Sequence, residues 1–150
     1  MTLKSLAIMT AILSTNVAPA LAQAVNSCDS YIANAAFLVF PPAETTAEYA
    51  DGAVRLITLD TAGEPACCSY HLMVLYPSSD GSYLECSLVS STVDYGYYSI
   101  FVNQAQVLRD DAEAVSLMVP TEGNVDGEVI PAAMRIDVDL AAGTLAASAP

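Results

Sequence analysis

Met134-Arg135-Ile136-Asp137-Val138-Asp139-Leu140 alternates without a break between apolar and charged side chains. Successive side chains of a strand point to opposite faces, so this segment reads as a strand with one buried and one wet face. Ala141-Ala142-Gly143 then turns the chain into Thr144-Leu145-Ala146. Together they predict a C-terminal hairpin, followed by a frayed tail over residues 146–150.

Outward from this hairpin the same period recurs. Strand candidates fall at residues 36–40, 53–59, 68–76, 82–90, 97–103, 105–109 and 114–119, with turn residues such as Pro77-Ser78-Ser79-Asp80-Gly81 and Asp110-Asp111 between them. Many short strands at this spacing predict an all-β fold, an antiparallel sandwich or small barrel of about eight short strands. A short helix competes at residues 30–36, and again at 103–116, where alanine, glutamine and acidic residues gather. Pro41-Pro42-Ala43-Glu44-Thr45-Thr46 reads as a long loop separating an arm that carries Cys28 from the main body. No repeat, heptad or low-complexity tract is present.

The first two dozen residues read as a secretory leader. Lys4 supplies one positive charge, an apolar run follows from Leu6 to Leu13 broken only by Thr10, and Ala18-Pro19-Ala20-Leu21-Ala22-Gln23-Ala24 sets small residues at −1 and −3 for cleavage after Ala22 or after Ala24. The apolar core is too short for a stable membrane span. The expected organisation is a signal peptide at 1–22 and a single β-rich domain over 25–150. The expected location is periplasmic or secreted, from a bacterial cell, with no membrane insertion of the mature form. Val25-Asn26-Ser27 before Cys28 lacks the pattern that precedes a lipidated cysteine.

Cleavage leaves 128 or 126 residues, enough for one domain with a real core. It also removes the only lysine. Arg55, Arg109 and Arg135 then face all 17 carboxylates, a formal charge of −14. Such a surface repels phosphate backbones and anionic lipids, which argues against nucleic-acid and membrane-surface binding. It suits a basic protein partner, or serves only to keep the protein hydrated in salty surroundings.

Cys28, Cys67, Cys68 and Cys86 all lie in the exported part, where an even count reads first as disulfides. The hairpin around Asp80-Gly81 helps to pair them. Setting Tyr76 opposite Ser82 places Val74, Leu72 and Tyr70 against Leu84, Cys86 and Leu88, a coherent apolar face. Cys86 is then four residues, roughly 13 Å, from the position opposite Cys68, too far for a disulfide. Cys28 becomes the expected partner of Cys86, leaving Cys67 and Cys68 as a vicinal disulfide or as thiols.

The remaining motifs are thin. Asp60-Thr61-Ala62-Gly63-Glu64 resembles a nucleotide-site motif but lacks the lysine-bearing phosphate loop. It lacks equally the glycine that an aspartic-protease dyad needs after its Asp-Thr, and reads as a turn after a strand. Cys67, His71 and Met73 form the only cluster of soft metal ligands, suited to copper. Residues 122–128 space oxygen ligands before a glycine as calcium loops do, but open on Glu122 and carry Ala133 where a bidentate glutamate belongs. One histidine, no mature lysine, no Gly-x-Ser-x-Gly and no His-Glu-x-x-His point away from an enzyme. No cofactor is expected. The reading is an exported, acidic, non-enzymatic binding module that sequesters or inhibits a basic protein through Tyr95, Tyr97 and Tyr98. The alternative is a periplasmic metal-binding protein, using Cys67, His71 and Met73 for copper or residues 122–128 for calcium.

Overall fold

The computed structural model describes residues 23–63, 67–93 and 95–150, so the leader read at 1–22 lies outside the described residues. Among the described residues the strands, in chain order, are β1 (Ala24–Ser27), β2 (Thr46–Tyr49), β3 (Val54–Asp60), β4 (Tyr70–Pro77) and β5 (Leu84–Ser90). They continue with β6 (Ser99–Ile100), β7 (Gln106–Asp110), β8 (Ala114–Val125), β9 (Glu128–Asp139) and β10 (Thr144–Ser148). Two antiparallel five-stranded sheets result, one ordered β1-β5-β4-β3-β2, the other β10-β9-β8-β6 with β7 also on β8. The all-β expectation holds, with more strands than the sequence suggested.

The alternation of the sequence is what closes the sandwich. Val54, Leu56, Leu72, Val74 and Val89 from the first sheet meet Val115, Leu117, Val119, Met134, Ile136 and Val138 from the second in one core. Each such side chain contributes about 1.5–3 kcal/mol on burial. Arg135, Asp137 and Asp139 take the opposite face of β9, where Arg135 Nε donates to Asp137 at 2.7 Å and Ser116 Oγ donates to the same carboxylate at 2.6 Å.

The C-terminal hairpin forms as read, with Thr144 opposite Asp139. Its tail is not frayed. β10 runs to Ser148 and Ala147 is buried in the core cluster, because the edge of β9 offers a ladder to pair with. β8 and β9 are each twelve residues long and joined by the two-residue turn Asp126-Gly127, both at positive φ (53° and 89°). Asp-Gly between alternating strands is a strong hairpin signal. Pro120, Gly123 and Pro131 hide it in the sequence.

The two helical alternatives resolve as single turns. Residues 30–36 make a turn at 30–33 and enter a 3-10 turn at Ala35–Phe37, and 103–116 overlaps only the end of another, Val102–Gln104, before β7 and β8. Residues 36–40 are not a strand, making only an isolated bridge from Leu38 to Leu59. The expected loop at 41–46 winds into one helical turn, α1 (Pro42–Thr45), and leads into β2.

The β4–β5 hairpin closes three residues away from the expected register. Leu72 faces Val89, Val74 faces Ser87, Tyr76 faces Glu85, and Cys86 faces Leu75. The cause is the loop at 78–83. Asp80 accepts hydrogen bonds from Ser78 Oγ, Ser82 N and Ser82 Oγ at 2.8, 3.0 and 2.6 Å, which favours a wide turn over a two-residue one. An odd shift turns β5 over. Cys86 and Leu88 therefore sit on the outer face of the sheet, with Leu59 and His71. The arm at 28–40 crosses this face, tied by the Leu38–Leu59 bridge and by a Cys28–Cys86 disulfide with Cα atoms 5.6 Å apart. The predicted pairing stands although its register was wrong. The shift moves Cys86 further along β4, seven residues and roughly 23 Å from Cys68. Cys67 and Cys68 form the vicinal disulfide.

Candidate functional site

The chain passes from one sheet to the other between β5 and β6, and this crossing builds an apolar groove. Tyr97 pairs with Tyr70 of the first sheet, its N–H donating to the Tyr70 carbonyl at 2.7 Å. The next residue, Tyr98, donates its N–H to Glu122 of the second sheet at 2.8 Å. Gly96 N donates to the Cys68 carbonyl at 2.8 Å. A Cβ on Gly96 would collide with the Tyr70 carbonyl oxygen and stand 2.8 Å from that of Cys68, so only glycine permits this approach. Ser91 Oγ donates to the Gly96 carbonyl at 2.6 Å and holds the turn closed.

The groove so formed has a volume of about 660 Å³. The Cys67–Cys68 turn, Tyr95 and Tyr97 line one side, and Gly123, Val125, Ala132 and Ala133 of the β8–β9 hairpin line the other. Gln23 and Ala149 reach it from the two ends of the described chain. Its polar groups are few. Tyr97 OH donates to Gln23 Oε1, and burial pushes the Tyr97 phenol pKa well above its ordinary value. A concave, mainly apolar wall with a few placed polar groups is the usual form of a ligand site.

The three tyrosines named from the sequence thus take different places. Tyr95 is half exposed at the groove, Tyr97 is only 4 % exposed within its wall, and Tyr98 is 42 % exposed. A partner touches Tyr97 only by entering the groove. Gln23 and Gly96, which complete the site, had no signal as site residues in the sequence.

A second cavity, of about 490 Å³, lies at the other end of the sandwich, by Pro77. Asp51, Asp110 and Asp111 line it with Ala53 and Leu140. Two of its carboxylates are committed to structure. Asp110 accepts the Ala50 N–H at 2.8 Å. The Arg109 guanidinium and the N–H groups of Glu113 and Ala114 hold Asp111 at about 2.

The candidate metal ligands are dispersed. The Cys67 sulfur is bonded to Cys68, and His71 is buried on the outer face with Nδ1 2.7 Å from Ser90 Oγ. Residues 122–128 form the tip of the β8–β9 hairpin, where Asn124 Oδ1 accepts the Gly127 N–H at 3.1 Å to shape the turn. Among the described residues no three His, Cys, Asp or Glu side chains converge as a metal site requires. His71, Ser90 and Asp60 do not form a catalytic triad either. Asp60 follows the core-facing residues of β3, whereas His71 takes the opposite face of β4. Asp60 instead accepts from Ser69 Oγ at 2.6 Å and from Ala62 N at 3.0 Å, bracing the turn after β3. Burial lowers the His71 pKa from its ordinary value, with Asp60 opposing. No helix among the described residues is long and apolar enough to cross a membrane.

Comparison of the chain with protein-family models, with curated proteins and with solved structures finds no match.

Proposed function

We propose that this protein is an exported, non-enzymatic binding module that holds a basic protein partner and thereby sequesters or inhibits it. The observation that carries the reading is an apolar groove, with Tyr95 beside it, in a surface that has no cation to spare. Among the described residues every arginine is already engaged by carboxylates: Arg55 with Glu48 at 3.3 Å, Arg109 with Asp111 and Glu113 at 2.7 and 2.8 Å, and Arg135 with Asp137 at 2.7 Å. The uncompensated carboxylates speed encounter with a cationic surface. At 0.15 M salt their field reaches only about 8 Å, so charge alone gives weak contacts. Affinity then falls to an apolar anchor that enters the groove and to the exposed faces of Tyr95 and Tyr98. The disulfides fit an oxidising, exported environment.

Selection of peptides displayed against the immobilised mature protein tests this. Enrichment of sequences that flank an apolar residue with lysine and arginine is expected, with binding weakened by Tyr95→Ala. Enrichment of acidic or uncharged sequences, or binding indifferent both to salt and to Tyr95→Ala, would overturn it.

A further inference from the structure

We infer that the working protein begins at Gln23, produced by hydrolysis of the Ala22–Gln23 peptide bond, and that Gln23 is a structural member of the groove. This rests on the export reading above. The local sequence allows cleavage after Ala22 or after Ala24, since both place alanine at −1 and −3. The fold distinguishes what each cut leaves in the mature chain. The Gln23 side-chain oxygen accepts a hydrogen bond from the hydroxyl of Tyr97, a buried residue. Loss of that acceptor leaves an O–H group desolvated without its partner, which is costlier than never having buried it.

Ala24 forms the first rung of β1, opposite Ser90, the residue whose hydroxyl meets His71 Nδ1. A cut after Ala24 removes Gln23 and this rung together and leaves three residues of an edge strand only four residues long. A cut after Ala22 spares both. In the hydrolysis one water is consumed, the Ala22 carbonyl becomes a carboxylate on the departing leader, and Gln23 receives the proton on a new α-amino group. The reaction needs only water and an envelope peptidase that reads small side chains at −1 and −3.

The full chain should be expressed in a secreting host and the exported product examined by intact mass and N-terminal sequencing. The expected mass is that of residues 23–150 with both disulfides closed, with or without loss of ammonia as an N-terminal glutamine cyclises. A mature chain that begins at Ala24, Val25 or later overturns the inference and leaves export standing. Exported or retained protein that still carries Met1 overturns both. Thermal unfolding separates a structural role from mere presence. Gln23→Ala, and a chain begun at Val25, should each melt several degrees below the chain begun at Gln23. Equal melting of all three overturns the role of Gln23 in the groove.

Discussion

Replacing Cys28 and Cys86 together by serine should cost more stability than any other change outside the core. The bridge joins positions 58 residues apart. Its loss returns the corresponding loop entropy to the unfolded chain, which on the chain-entropy relation amounts to about 4 kcal/mol. The folded state suffers as well. Leu59, His71 and Leu88 are each no more than 2 % exposed on the outer face of the first sheet, beneath the arm at 28–40. Release of the arm returns part of that surface to water, at roughly 25 cal/mol per Å² of apolar area. Urea unfolding of the double serine variant against the parent measures the sum, and amide exchange locates it. Protection should fall first in β3 and β4 near Leu59 and His71, while β8 and β9 keep theirs. The Cys67–Cys68 pair supplies the control, since a bond between neighbours closes almost no loop, and its double serine variant should lose less than about 1 kcal/mol. A Cys28/Cys86 variant that loses under about 1 kcal/mol, or one whose protection falls uniformly, would show that the arm is not clamped to the sheet as described.

Thr58 and Thr121 lie on the core faces of β3 and β8, and neither Oγ1 has a hydrogen-bond partner among the described residues. Thr58→Val should therefore raise stability by roughly 1–2 kcal/mol, since an isosteric methyl removes a desolvated hydroxyl; a loss in calorimetry would sink the assignment. Gly96→Ala should lower the melting temperature and shift the tyrosine near-ultraviolet signal, because its Cβ meets the backbone of β4; wild-type behaviour would place the crossing turn elsewhere. Hydrogen bonds from Ser82 and Ser78 hold Asp80 at about 2, and Arg109 holds Asp111 at about 2. With folded pKa values below the unfolded ones, their stabilisation is present above about pH 4 and lost as pH falls toward 2. The fall in melting temperature over that window should be shallower in Asp80→Asn/Asp111→Asn. Burial lowers the His71 pKa too, so its contribution is complete above 6.5 and declines below it. An imidazole NMR midpoint above 6.5 would contradict its burial.

Local pattern was enough for the all-β class and for the C-terminal hairpin. The period-two rule needs no partner to state which side chains of residues 134–140 go inward, and Met134, Ile136 and Val138 do so. The Cys28–Cys86 pairing was also legible, because strand rise alone keeps Cys86 from Cys67 and Cys68. Register was not. Three hydrogen bonds from Ser78 and Ser82 to Asp80 reset the hairpin by three residues and turned β5 over, and no periodicity in residues 84–90 reports that. Short edge strands escaped for a related reason. β1 and β2 are each four residues long and owe their form to a neighbour's ladder rather than to their own composition. The groove lay furthest from the sequence. Gln23, Cys68, Tyr97 and Val125 come from four separate parts of the chain, and only the crossing between the two sheets, made possible where Gly96 lets backbone approach backbone, brings them around one groove.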